Sequence, residues 1–224
     1  MTSKPLDVES QKSLETATRT FQAALPGSAP AVEYLAGRGI SRDTAERFQL
    51  GFVTEPVPGF ERFMGMVAIP NICGGDRPHV VGIKFRRLPD EEGKKYDQPS
   101  QPTRMFNARA IDEADEVLCI TEGELDAVIL EQLGLHAIGV PGNTAWKAHY
   151  WRLLEGFPRL VLFRDNDDPG LVLEKEIRRY DLPLVSYVPP GVGEKGDVTD
   201  SFLSGHGPEL VSLALGVHDE MRAA

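Results

Sequence analysis

Beyond residue 114 the apolar positions fall into short unbroken runs, separated by stretches with helical spacing. Glu116–Thr121 reads as a continuous apolar strand, Glu124–Leu133 as a helix and Ala137–Val140 as a strand. Thr144–Leu154 is expected to be a helix, Arg159–Arg164 a strand, Gly170–Tyr180 a helix and Leu184–Val188 a strand. Strands that are apolar throughout suit a sheet buried on both faces. Their alternation with helices predicts an α/β unit: a parallel sheet with helices on both faces. Two more helical pieces are expected near Asp200–Leu203 and Pro208–Leu215.

The first half has a different rhythm. A weak helical pattern (Leu14, Thr18, Phe21, Leu25) ends at Pro26-Gly27. Pro30 then opens a short helix around Val32–Ala36, and Gly37-Arg38-Gly39 stops it. Ser41 stands where an N-cap belongs, ahead of a second short helix reaching Phe48. Met66–Pro70 and His79–Arg87 look like strands. In the second, Val81, Ile83 and Phe85 fall on one side, and Lys84 and Arg86 on the other. Residues 88–104, with four prolines and glycines, read as a long surface loop. The expected organisation is an N-terminal helical or flexible extension over 1–29 and a smaller, basic α+β subdomain over 30–113. The α/β unit with its C-terminal helices then fills 114–224.

Charge sharpens this division. The 224-residue chain carries a net −10, which taken alone disfavours a nucleic-acid partner. Between Arg77 and Ala110, however, eight basic residues face four acids, so this segment nets +4 and the remainder −14. The two cysteines, Cys73 and Cys119, are too few for a disulfide framework or a four-cysteine zinc site. The N-terminus lacks the order of a secretory signal, and no run approaches the roughly 20 apolar residues of a membrane span. A cytoplasmic protein with no membrane partner is expected.

The candidate chemistry gathers where the strands of the parallel sheet end, the edge at which open α/β sheets bind ligands. One strand runs into Thr121-Glu122-Gly123-Glu124-Leu125-Asp126, the next into Pro141-Gly142-Asn143-Thr144, and a third into Asp165-Asn166-Asp167-Asp168-Pro169-Gly170. An isolated acid ahead of a helix is ordinarily a cap. Acids at equivalent strand ends are different, because crowded carboxylates repel unless a cation neutralises them. Oxygen-only donors suit a hard divalent ion, Mg²⁺ or Mn²⁺.

The run Glu122-Gly123-x-x-Asp126-Ala127, followed by Asp165-x-Asp167-x-x-Gly170, resembles the signature of the TOPRIM domain. That domain is shared by DnaG-type primases, topoisomerases, certain nucleases and recombination proteins. Upstream, Glu33–Ile40 with Thr44–Phe48 resembles the opening of the primase RNA-polymerase core. Met66–Pro70, Val81–Arg87 and Lys95-Tyr96 resemble its basic subdomain, and Lys195–Asp200 resembles the third acidic motif of phage primases. The resemblance covers about residues 31–203.

It implies metal-dependent synthesis of RNA primers from nucleoside triphosphates on single-stranded DNA. Asp165, Asp167, Asp197 and Glu122 would be metal ligands, with Glu122 also the catalytic base. Lys84, Arg86, Arg87, Lys95 and Asn143 would contact nucleic acid or nucleotide. Neither the zinc ribbon nor the helicase part of longer primases is recognisable. The resemblance therefore points to a compact phage-type core in a bacterial host cytoplasm, with a replicative helicase and a separate zinc module as candidate partners. Asn166 stands where bacterial primases have glycine, an exchange that left-handed backbone would tolerate. Arg164 is unusual, and is expected to lower the aspartate pKa values or touch phosphate. Trp146 and Trp151 read as packing residues. A TOPRIM nuclease, or a non-catalytic DNA-binding accessory of replication or recombination, remains an alternative reading of the same residues.

Overall fold

A computed structural model describes residues 6–74, 78–89, 91–140 and 146–217. The chain divides into two units, residues 1–102 and 103–224.

The first unit begins with helix α1 (Val8–Ala24), which Asp7 caps by accepting the Ser10 N–H. Helices α2 (Ala29–Gly37) and α3 (Arg42–Arg47) follow, and Ser41 caps α3 as its position in the sequence predicts. Four strands, β1 (Gly51–Phe52), β2 (Met66–Cys73), β3 (His79–Arg87) and β4 (Tyr96–Asp97), make an antiparallel sheet in sequence order. Helix α1 lays Leu14, Ala17 and Phe21 on this sheet. Phe63 stacks on Phe85 with centroids 3.9 Å apart, and Phe21 meets Phe85 edge-on at 5.9 Å.

Two expectations change here. The segment expected as a separate extension is not one over its described residues, 6–29, because α1 supplies part of this core. The loop expected over 88–104 contains β4, whose Tyr96 and Asp97 pair with Arg86 and Phe85.

The second unit holds short helix α4 (Ala110–Glu113), then β5 (Val117–Thr121), α5 (Glu124–Gln132), β6 (Ala137–Gly139) and α6 (Trp151–Leu154). It continues through β7 (Arg159–Phe163), α7 (Asp168–Ile177), β8 (Leu184–Tyr187), α8 (Val198–Leu203) and α9 (Gly207–Leu215). The strands form a wholly parallel sheet ordered β6-β5-β7-β8. Leu118, Ile120, Leu160 and Leu162 share one core with Leu154 of α6 and Leu173 and Ile177 of α7. Helices α5 and α9 also pack on the sheet but add no buried residue to that cluster, so they cover the opposite face.

The unit starts at Thr103 rather than near residue 113, for two reasons. Phe106 bridges to Gly139 at the sheet edge, and Met105 and Ala110 enter this core. The helix expected over 144–154 is a single turn at Trp151–Leu154, and residues 141–145 lie outside those described. Trp151 stacks on Tyr180 (5.9 Å, 17°) and Trp146 meets Tyr150 edge-on, so both tryptophans pack. No helix among the described residues is long and apolar enough to cross a membrane.

Candidate active site

Strand order makes neighbours of two motifs that are 43 residues apart in the chain. β5 pairs with β7 as far as Ile120 and Leu162, so Glu122 and Asp165 both follow the ends of adjacent strands. The Glu122 carboxylate accepts the Asp165 backbone N–H at 3.1 Å.

Each motif glycine has a steric reason. A Cβ on Gly170 would meet Glu122 Oε1 at 2.8 Å and would collide with the Asp165 carbonyl. Glycine is what lets the start of α7 lie against both acids. A Cβ on Gly123 would collide with the Asp126 carboxylate. That carboxylate cannot swing aside, because Asp126 is buried and accepts two bonds from Thr199, from its N–H at 3.0 Å and its hydroxyl at 2.7 Å.

The remaining acids sit on helix N-termini. Asp167 caps α7 by accepting the Gly170 N–H at 2.9 Å. Asp197 caps α8 in a reciprocal box with Asp200. The box orders the start of α8, and the two bonds that Thr199 donates to Asp126 tie α8 to α5. Asp126 is the residue whose role the sequence did not reveal. It appears within the Glu-Gly-x-x-Asp run, but its partner lies 73 residues downstream.

Burial and mutual repulsion dominate the electrostatics. Burial, then the charges of Glu122, Asp126, Asp197 and Asp167, push the Asp165 carboxyl up to about 8. Burial likewise raises Glu122 to about 6; the Asp165 N–H opposes this, Asp167 and Asp126 add to it, and Arg164 opposes it. The expectation that Arg164 lowers the aspartate pKa values is thus corrected. It is a minor influence on Glu122, and its Nε is held at 3.1 Å by Glu174, which also holds Arg178 at 2.8 Å.

Asn166 is corrected too, since its φ is not positive; the left-handed residue is Lys195 (φ 63°). Instead Asn166 pins the loop before α8, donating from Nδ2 to the Gly193 carbonyl and exchanging backbone bonds with Lys195 and Gly196.

Four carboxylates, Glu122, Asp126, Asp197 and Asp167, thus act on that of Asp165, whose backbone N–H bonds to the Glu122 carboxylate. No three described His, Cys, Asp or Glu side chains form a ready-made metal site. The donor set nevertheless fits a hard divalent cation. It is all oxygen, and burial together with neighbouring carboxylates holds Asp165 and Glu122 above the ordinary carboxylate range, a cost that a bound cation would relieve.

Of the other predicted residues, Lys84, Arg86, Arg87 and Lys95 lie in the first unit. Lys84 Nζ is 4.4 Å from the Tyr96 ring centroid and the Arg86 guanidinium 4.6 Å from it, so one aromatic serves two cations of the same strand face. Arg86 also lies 5.7 Å from Tyr34 and is only 7% exposed, yet its Nε makes no hydrogen bond. Arg87 donates to the Lys94 carbonyl at 3.3 Å and lies 3.8 Å from Glu91. Lys95 is 6.0 Å from the Tyr96 centroid. Asn143, the remaining predicted contact, lies outside the described residues, as does Arg77 of the basic segment.

No protein-family model matches the chain. The gene 57 protein of Mycobacterium phage D29 is 34% identical over 115 residues, which span 51% of this chain and 75% of that protein. The DNA primase of Deinococcus radiodurans is 26% identical over 250 residues, covering 90% of this chain and 42% of the primase. The chain thus spans less than half of that bacterial relative.

Among solved structures, the zinc-binding and RNA polymerase domains of the Aquifex aeolicus primase superpose with a TM-score of 0.72 at 18% identity. They cover 95% of this chain, which in turn covers 64% of that one. A DnaG primase catalytic domain bound to single-stranded DNA gives 0.71 at 20% identity, over 92% of this chain and 77% of the other. At these identities the shared property is the fold.

Proposed function

The chain belongs to the TOPRIM DNA primases, and on that premise we propose that it joins nucleoside triphosphates into short RNA primers on single-stranded DNA. The observation that carries this reading is the bond from the Asp165 N–H to the Glu122 carboxylate, where the charges of Glu122, Asp126, Asp197 and Asp167 all act on Asp165.

A carboxyl raised to about 6 is a useful base near neutral pH: it is mostly ionised there, yet more basic than an ordinary glutamate. Glu122 takes the proton from the 3′-hydroxyl that attacks the incoming α-phosphate, while the bond to the β-phosphate breaks and pyrophosphate leaves. The Asp165 N–H fixes the orientation of its carboxylate. A Mg²⁺ or Mn²⁺ ion held by Asp165, Asp167 and Asp197, leaving Glu122 free to act as the base, would neutralise the triphosphate oxygens. Asp126 holds α8, and with it Asp197, in place through Thr199.

Lys84, Arg86 and Arg87 bind template or nucleotide phosphates, which gives affinity without sequence information. The buried, unbonded Nε of Arg86 supports this role, because such a donor is costly unless a ligand satisfies it. The direct test incubates the protein with labelled nucleotides, single-stranded DNA and Mg²⁺ or Mn²⁺. Short RNA is expected; nicked DNA without RNA would identify a nuclease instead, and neither product would leave a binding accessory.

A further inference from the structure

A groove of about 710 Å³ opens among α1, α2 and α3 of the first unit. It shares no residue with the acidic strand ends or with the cations of β3. Its walls are apolar, with Leu25, Leu35 and Leu50 below and Val32 and Ala36 exposed to solvent. That volume is typical of a site for a ligand or a partner's side chains, and an apolar hollow left open to water on a charged protein marks an interaction surface.

The rim identifies the occupant. Arg19 of α1 and Arg42 of α3 line the groove, are exposed, and have no ion-pair partner among the described residues. Glu46 is the third charged lining residue, and its carbonyl accepts the Gln22 side chain at 3.1 Å, tying α1 to α3. Two unpaired guanidinium groups over an apolar floor match a segment bearing carboxylates beside apolar side chains. Elsewhere the chain is strongly acidic (net −10), so such a segment would be repelled from most other faces.

We propose that this groove docks an acidic amphipathic helix of a partner protein. Two or three apolar side chains at helical spacing enter the groove, and flanking carboxylates pair with Arg19 and Arg42. The proposal does not depend on the primase reading.

A fluorescein-labelled peptide of about four helical turns, with leucines on one face and flanking glutamates, is titrated with the full chain and followed by anisotropy. Saturable binding is expected with a Kd on the order of tens of micromolar, weakening as salt rises. Arg19→Glu with Arg42→Glu should raise that Kd about tenfold or more. Ala36→Trp, which fills the mouth, should abolish binding. Melting temperature and primer synthesis should stay at parental values in both variants. If charge reversal disturbs folding, Arg19→Gln with Arg42→Gln serves instead and should still weaken binding.

The proposal is overturned if the peptide fails to saturate. It is overturned equally if a lysine-for-glutamate peptide binds as tightly, or if the folded arginine variants keep the parental Kd. Sedimentation showing a dimer that Ala36→Trp dissociates would assign the groove to a second copy of the chain, which also refutes the proposal.

Discussion

Replacing Asp165 by asparagine should stabilise the metal-free protein at pH 8 and leave its stability unchanged near pH 4. An acid whose folded pKa exceeds its unfolded value favours the native state while protonated. Its contribution is complete below the unfolded value and is lost as pH rises through the folded one. For Asp165 that window runs from its ordinary 3.8 up to about 8. At about 1.4 kcal/mol per pH unit, the ceiling is about 6 kcal/mol. Water near the half-buried carboxyl, and an effective dielectric closer to 20 than 4, reduce this to about 2 kcal/mol. For a chain of this size that is a rise of about 4–8 °C in Tm.

The assay is calorimetry or fluorescence melting of parent and Asp165→Asn, in chelator, at half-unit steps from pH 4 to 8.5. The difference between the two curves isolates this carboxyl from every other titrating group. Adding Mn²⁺ at pH 8 should reverse the order, because the parent gains stability from the bound ion while the variant gains little. Parallel curves across the whole pH range would refute the electrostatic account of the site. A variant less stable than the parent at pH 8 in chelator would do the same.

Glu122→Gln keeps the shape but removes the base, so primer synthesis should fall on the order of 10²-fold or more. Affinity for single-stranded DNA should stay within a few-fold; a folded variant that synthesises at the parental rate removes Glu122 from the chemistry. Lys84→Ala with Arg87→Ala should weaken single-stranded DNA binding and flatten its salt dependence, read from Kd between about 50 and 200 mM salt. An unchanged slope would mean that these cations serve the fold alone. Arg86→Ala should in addition lower Tm, because its guanidinium packs on Tyr96 and Tyr34. Asp126→Asn and Thr199→Val should each destabilise and, combined, should cost less than their sum; the expected coupling is roughly 0.5–3 kcal/mol in a double-mutant cycle, and strict additivity would contradict the α5–α8 tie.

The parallel sheet was legible because its strands are buried on both faces and so read as unbroken apolar runs. Glu122, Asp165, Asp167 and Asp197 were legible because each ends a strand or opens a helix within a spaced motif. The strand β4 was not: Tyr96 and Asp97 sit among polar loop residues, and only pairing with Phe85 and Arg86 makes them strand. The partnership of Asp126 with Thr199 was hidden for a related reason, since local pattern carries no information about a contact 73 residues away. Asn166 misled because an identity that tolerates left-handed backbone was used for its amide instead.

The crowding around Gly170 turns one position into a marker for sorting related sequences. With Glu122 Oε1 2.8 Å from where a methyl group would sit, any side chain there parts α7 from both acids. A relative that keeps every aspartate but carries alanine or serine at this position has an acidic edge that no longer assembles. We expect such a sequence to retain the scaffold but lose the Glu122–Asp165 contact on which the proposed chemistry rests, whatever its overall percentage identity.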